Sequence, residues 1–236
     1  MRLRLFVFSV VLIPGMSLLT SPTDLFAQDA DAELWTGVEL VKSITKDIRL
    51  SFEEEIRIND NISSVNSVFS QLSPSYKINK FLTFKAAYRY TQKPLDIGGF
   101  SIRHRFNTDL TFKYKEKPVI VYLRTRYQVG YKDLYSDYNK NNPSEYSRNR
   151  LKLKLDLDKA IEPYSSIEFF YQLGNPAGNA IDAFRYKLGL NYILNDKQEL
   201  SLAYMLEKPL NEPFPITRHI WSLNYSFNLG GDKNSN

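Results

Sequence analysis

The chain has 236 residues, no cysteine, two histidines and a formal net charge of +5. Without cysteine there are no disulfides, no N-terminal cysteine lipidation, no thiolate metal site and no thiol catalysis, and two histidines are too few for a histidine-rich metal cluster. Aromatic residues make up 14%, nearly all tyrosine and phenylalanine, while the mean hydropathy is −0.37, so apolar residues must alternate with polar ones if the chain enters a membrane.

Met1 to Ala27 reads as a secretory signal. Arg2 and Arg4 give a positive start, and Leu5 to Ile13 is apolar apart from Ser9. Leu25-Phe26-Ala27 offers a cleavage point that leaves Gln28 as the new N-terminus. Pro14 and Gly15 stop the run well short of the ~20 apolar residues a helical span needs.

From there the chain reads as strands. Weak alternation at Leu34 to Val41 is followed by Ile48 to Ile58, Val65 to Ile78 and Phe81 to Thr91. Phe100 to Tyr114 is the clearest case. Phe100, Ile102, His104, Phe106, Leu110 and Phe112 share one face, and Arg103, Arg105, Asn107, Asp109 and Lys113 the other, because residues two apart lie on one side of a strand. The pattern recurs at Val119 to Val129, Arg148 to Leu157, Tyr164 to Leu173, Phe184 to Tyr192, Leu200 to Glu207 and Arg218 to Leu229. Glu54 falls on the apolar side of its strand, which predicts a bulge or a register shift there.

Short turns at 43–46, 78–80, 115–118, 159–163 and 195–197 alternate with longer loops at 59–64, 92–99, 131–146, 174–180 and 208–215. That order predicts an all-β, up-and-down antiparallel transmembrane β-barrel of ten to twelve strands, with tight periplasmic turns and larger outer loops. Single-chain bacterial barrels have even strand counts. Ten is therefore the favoured number and twelve the alternative, both barrel ends lie in the periplasm, and Leu34 to Val41 becomes a periplasmic lead-in or the partner of an undetected strand. The expected organisation is a signal at 1–27, the barrel at 28–229 and a polar tail at 230–236.

Parity puts Arg57, Arg89, Arg103, Arg105, Arg124 and Arg126 on the polar faces, together with Arg148, Arg150, Lys152, Lys154, Arg185, Lys187 and Arg218. The acids there are Glu53, Glu55, Asp109, Asp156, Glu168 and Glu207. Arginine or lysine facing lipid at mid-depth costs ~2–4 kcal/mol, so these residues are expected to line the lumen. Arg103, Arg105, Arg124 and Arg126 should form one wall, with Asp109 on the face of Arg105, Glu168 or Glu53 reaching from across the barrel, and an excess of positive charge left over. Two outcomes stay open: a cationic pore that favours anions, and a salt-bridged filling with no through-path.

His104 and His219 fall on the apolar face with no serine two residues away, as belt residues near a headgroup zone would. The tyrosine-rich loop Tyr131 to Tyr146 suits a sugar or a protein surface, but its Asp133 and Asp137 lack the glycine and glutamate of a calcium loop. The basic residues are spread over strand faces, which speaks against nucleic acid.

Trp35, the Glu53 to Arg57 segment, Tyr88-Arg89-Tyr90, His104-Arg105-Phe106, Leu123-Arg124-Thr125-Arg126 and Arg148-Asn149-Arg150-Leu151 follow one another in an order that resembles a family of outer-membrane barrels of Bacteroidetes-type bacteria, known as a domain of unknown function. The resemblance implies the barrel and its location in the cell outer membrane and brings no catalytic residues. The expected role is structural or narrow passive transport, without enzymatic activity, metal or cofactor. The expected partners are outer-membrane lipids, the barrel assembly machinery and small anionic solutes. A lipid-modifying enzyme and a partner-binding subunit are the alternatives.

Overall fold

The computed structural model describes residues 30–132, 143–175 and 178–230. The signal segment, the tail beyond Gly230 and most of the Tyr131 to Tyr146 loop lie outside the described residues. The strands are β1 (Ala30–Ser43), β2 (Ile48–Asn59), β3 (Ser64–Lys77), β4 (Leu82–Pro94), β5 (Phe100–Glu116), β6 (Val119–Lys132), β7 (Ser144–Leu155), β8 (Ile161–Leu173), β9 (Ala180–Asn195), β10 (Gln198–Pro209) and β11 (Thr217–Asn228). They form one closed barrel in which each strand pairs with its chain neighbours, and β1 closes on β11. Closure leaves no sheet edge with unpaired backbone groups.

The strand count is eleven, between the two even numbers expected. The segment Leu34 to Val41 is not a lead-in but the body of β1. It pairs antiparallel with β2, from Leu34↔Ile58 to Ser43↔Arg49, and parallel with β11, from Ala30↔Thr217 to Val41↔Asn228. An odd number of up-and-down strands can close only if first and last run the same way, and a parallel ladder supplies evenly spaced, slanted hydrogen bonds for that seam. The two ends of the barrel chain therefore lie at opposite rims, not together. Ala30 starts at the rim of the longer loops and Asn228 ends at the rim of the short turns. The start of β1 is held there by the first long loop. Asp31 accepts hydrogen bonds from the amides of Asp60 and Asn61 (3.3 and 2.8 Å), and the Ile62 amide donates to the Ala32 carbonyl (3.0 Å).

Polarity is inverted relative to a water-soluble protein. Val38, Phe52, Phe106, Leu110, Leu123, Leu188 and Trp221 are among many large apolar side chains exposed on the outer face. Charged and polar groups fill the inside, with Glu33, Glu55, Arg89, Asn107, Asp109, Arg126, Arg148, Glu168 and Glu207 all buried. The buried apolar cluster is small: Trp35, Met205 and Ile220, on the inner faces of β1, β10 and β11. Strands of 12 to 17 residues exceed the ~9–11 a tilted strand needs to cross a bilayer.

The register runs unbroken through Glu54, opposite Val38 and Ser70, so the expected bulge is not there. Register shifts occur instead at Arg57/Ile58, Phe170/Tyr171 and Gln198/Glu199. Glu54 stays on the apolar outer face because the Ser70 hydroxyl donates to its Oε1 at 2.5 Å, satisfying part of the carboxylate without bending the strand.

Candidate functional site

The lumen is built from rows of inward side chains that follow the ladder from strand to strand. One row runs Arg124, Arg150, Glu168, Arg185, Glu207, Arg218 and Asp31 across β6 to β11 and β1. From Arg150 onward its charges alternate, so each carboxylate meets a guanidinium directly opposite, the favourable arrangement for a cross-strand pair. Arg185 donates its Nε and Nη2 to Glu207 Oε2, and Arg218 Nη1 donates to Glu207 Oε1 at 2.7 Å. Arg124 Nη2 and Arg148 Nε share Glu168 Oε1 at 2.5 and 3.0 Å.

A second row contains Lys85, Asp109, Arg126 and Arg148. Arg126 grips Asp109 with Nε and Nη2, both at 2.7 Å, the fork-on-carboxylate geometry that guanidinium is shaped for. A third row contains Glu53, Gln71, Arg89, Arg105 and Gly130. Here Arg89 Nε donates to Gln71 Oε1 at 2.9 Å, Gln71 Nε2 donates to Glu53 Oε2 at 3.0 Å, and Arg89 lies 3.7 Å from Glu53. Arg57 pairs with Glu55 on its own strand at 2.7 Å.

Asp109 therefore sits among the arginines, and Glu53 and Glu168 stand in the rows with them rather than facing them from across the barrel. They are interleaved within the rows, because ladder neighbours come closer than side chains on opposite walls. The interleaving is incomplete. Arg89 stands directly opposite Arg105, Arg124 opposite Arg150, and Arg126 opposite Arg148. Arg103, Arg105 and Arg150 make no ion pair and no side-chain hydrogen bond among the described residues, and their buried Nε atoms have no partner.

Arg57, Arg89, Arg103, Arg105, Arg124 and Arg126, with Arg148, Arg150, Glu168 and Arg185, surround one central cavity of about 650 Å³. Asp109 is buried and bound by Arg126, and is not among the residues that line this cavity. A smaller cavity of about 280 Å³ lies toward the long loops, among strand ends that carry Lys93, Lys132 and Ser144. A third, of about 560 Å³, lies at the short-turn rim among Lys46, Arg49, Lys77, Lys80, Lys113 and Lys115. At that rim Lys115 reaches Asp156 at 2.6 Å and Lys117 reaches Asp158 at 2.5 Å. The hydrogen bond from Lys115 holds the Asp156 carboxyl below its ordinary range, and the one to Asp158 raises Lys117.

Sequence reasoning missed the aromatic floor of the site. Arg89 stacks on Phe69 with its Cζ 3.3 Å from the ring centre, Arg57 on Trp35 at 3.7 Å, and Arg148 on Phe170 at 4.2 Å. Such stacking fixes guanidinium planes without consuming their N–H groups. Parity with Gln71 and Glu168 already places Phe69 and Phe170 inward, so the signal was present.

His104 and His219 both stand on the outer face. Tyr88 OH lies 2.8 Å from His104 Nδ1, and Tyr204 OH 2.6 Å from His219 Nδ1. Their ring neighbours are Tyr88 and Tyr90, and Tyr204, respectively. Among the described residues neither histidine hydrogen-bonds a serine or a carboxylate. Among the described residues no group of histidine, aspartate and glutamate could hold a metal ion.

Residues 32–209 match the family described as protein of unknown function DUF2490, and the chain belongs to that family. The match begins inside β1 and ends with β10. No curated protein matches the sequence. Among solved structures, the chain is similar to the β domain of the Bordetella autotransporter BrkA, at 10% identity and a TM-score of 0.43, over 84% of this chain and 97% of that one.

Proposed function

We propose that the protein is an outer-membrane β-barrel whose narrow arginine-rich lumen passes small anions. The exposed apolar outer face supports the membrane location, since an apolar surface of this extent on a closed barrel needs lipid to cover it. Signal, strand alternation and barrel together suit insertion by the barrel assembly machinery. The carrying observation is the charge imbalance of the lumen: among the described residues Arg103, Arg105 and Arg150 have no acid bound to them, and they line the central cavity. Rings of Arg and Lys in a confined aqueous space favour anions over cations. Eleven strands make a bore between the ~8 strands that side chains just fill and the 16–18 of open porins, which suits small solutes. The reading includes no catalysis, because both histidines sit in aromatic surroundings on the lipid side.

The test is the reversal potential of refolded protein in planar bilayers under a salt gradient. Anion preference is expected, and the double variant Arg105→Glu/Arg124→Glu should move it toward cations. A wild-type barrel that carries no current, in which the same variant only lowers the urea midpoint, would make the lumen a structural filling and end the transport reading.

A further inference from the structure

The outer end of the central cavity holds a feature that ion conduction alone does not require. Arg103 and Arg105, together with Arg57, Arg89 and Gln128, line both the central cavity and the smaller one above it, so these five side chains form the neck between the two. Directly opposite Arg105 on β6 is Gly130, which puts no side chain into the neck. Arg89 stands directly opposite Arg105 on β4, and Arg57, Arg126 and Arg148 line the same central cavity. Each of those four is already bound to an acid or amide of the lumen wall. Among the described residues Arg105 has no such partner, and its Nε is buried without one.

A half-buried guanidinium whose Nε is buried and unpaired, beside arginines that have already taken the nearby acids, is costly, and the cost is relieved by a bound counter-charge. A single chloride offers one charge and no geometry. A tetrahedral oxyanion such as hydrogen phosphate offers two negative charges and pairs of oxygens spaced for the guanidinium fork. The stacked planes of Arg57 and Arg89 on Trp35 and Phe69 hold the neighbouring cations in place around that point, so the field is preorganised rather than assembled on binding. The barrel wall separates the neck from lipid, so the occupant is a free solute and not a phospholipid headgroup.

We infer that Arg103 and Arg105 form, at this neck, a binding site for a small multivalent oxyanion of the phosphate class. The inference deepens the anion-passage reading and rests on it for access to the lumen, but the binding itself is measured without current.

Inorganic phosphate is titrated calorimetrically into the refolded, detergent-solubilised protein at constant ionic strength, with chloride as the competing anion. One phosphate per barrel is expected. Arg105→Gln should weaken binding at least about tenfold, the loss of one charge-assisted contact, and Arg105→Lys, which keeps the charge without the fork, should lie between. Lys80→Gln at the far rim should bind as the wild type does. Heat-dependent gel mobility verifies that each variant is folded. Phosphate should also block the chloride current of the wild type and not that of Arg105→Gln. A folded wild type that does not bind phosphate, or an Arg105→Gln variant that binds it equally well, overturns the site. If phosphate binds and no current flows, the site stands and the passage falls. Chloride current without phosphate binding does the reverse.

Discussion

Asp109 and Arg126 form a two-point ion pair in the lumen wall. Both are buried, they stand directly opposite across β5 and β6, and both carboxylate oxygens are gripped. Removing one partner of such a pair costs about 3–5 kcal/mol, because the other charge is left buried and alone. Asp109→Asn should therefore lower the urea midpoint of the refolded barrel substantially. Lys117→Ala, at an exposed rim pair, should leave it unchanged within error; an Asp109→Asn midpoint no lower than that of Lys117→Ala would mean the lumen is wetter than its burial indicates. The faces of these residues were legible from parity alone, since Arg126 and Asp109 each alternate with apolar neighbours. Which acid binds which arginine was not, because that depends on register. Register is set by the pairing of whole strands and by bulges such as the one at Arg57/Ile58, and no local residue pattern marks it.

Among the strands, β1 separates what alternation tells from what counting rules tell. Leu34, Thr36, Val38 and Leu40 alternate with Glu33, Trp35, Gly37 and Glu39, and the structure sends the second set inward. The strand was thus readable. Its place was missed because an even count was imposed on it, and only the parallel partner β11 resolves the parity. Gly37 is the local reason this seam fits. A Cβ there would lie 2.7 Å from the Glu54 carbonyl oxygen and 3.0 Å from Asn224 Oδ1, so β2 and β11 both crowd the position. The absence of native cysteine makes the seam directly testable. Val38 and Tyr225 are ladder partners across it, both on the outer face, and a Val38→Cys/Tyr225→Cys variant should form an intramolecular disulfide under mild oxidation. Val38→Cys paired with Phe106→Cys, on a distant strand, should not. If the first pair fails to close while the barrel remains folded, β1 does not seal against β11.

For the molecule as a whole, the alternation of short and long connections and the inverted polarity lead to one orientation. Barrel turns are short on the periplasmic side and long outside. The rim with the 59–64, 92–99 and 208–215 connections should then face outward, and the rim with Lys115, Lys117 and Asn195 to Lys197 should face the periplasm. The parallel seam sharpens the consequence, since Ala30 must sit at the outward rim although the barrel chain ends at the inward one. Ile97 is 94% exposed in an outer loop, and Asp196 lies in the tight turn between β9 and β10. In intact cells a membrane-impermeant maleimide should label Ile97→Cys and spare Asp196→Cys. Permeabilising the outer membrane should make Asp196→Cys reactive as well. A third single cysteine, at Ala30, decides the closure independently of loop length: with β1 in the wall beside Thr217, Ala30→Cys should label in intact cells like Ile97→Cys. Labelling of Asp196→Cys alone would turn the barrel over, and an Ala30→Cys that behaves like Asp196→Cys while Ile97→Cys labels would return the start of the barrel chain to the periplasm and remove the parallel seam.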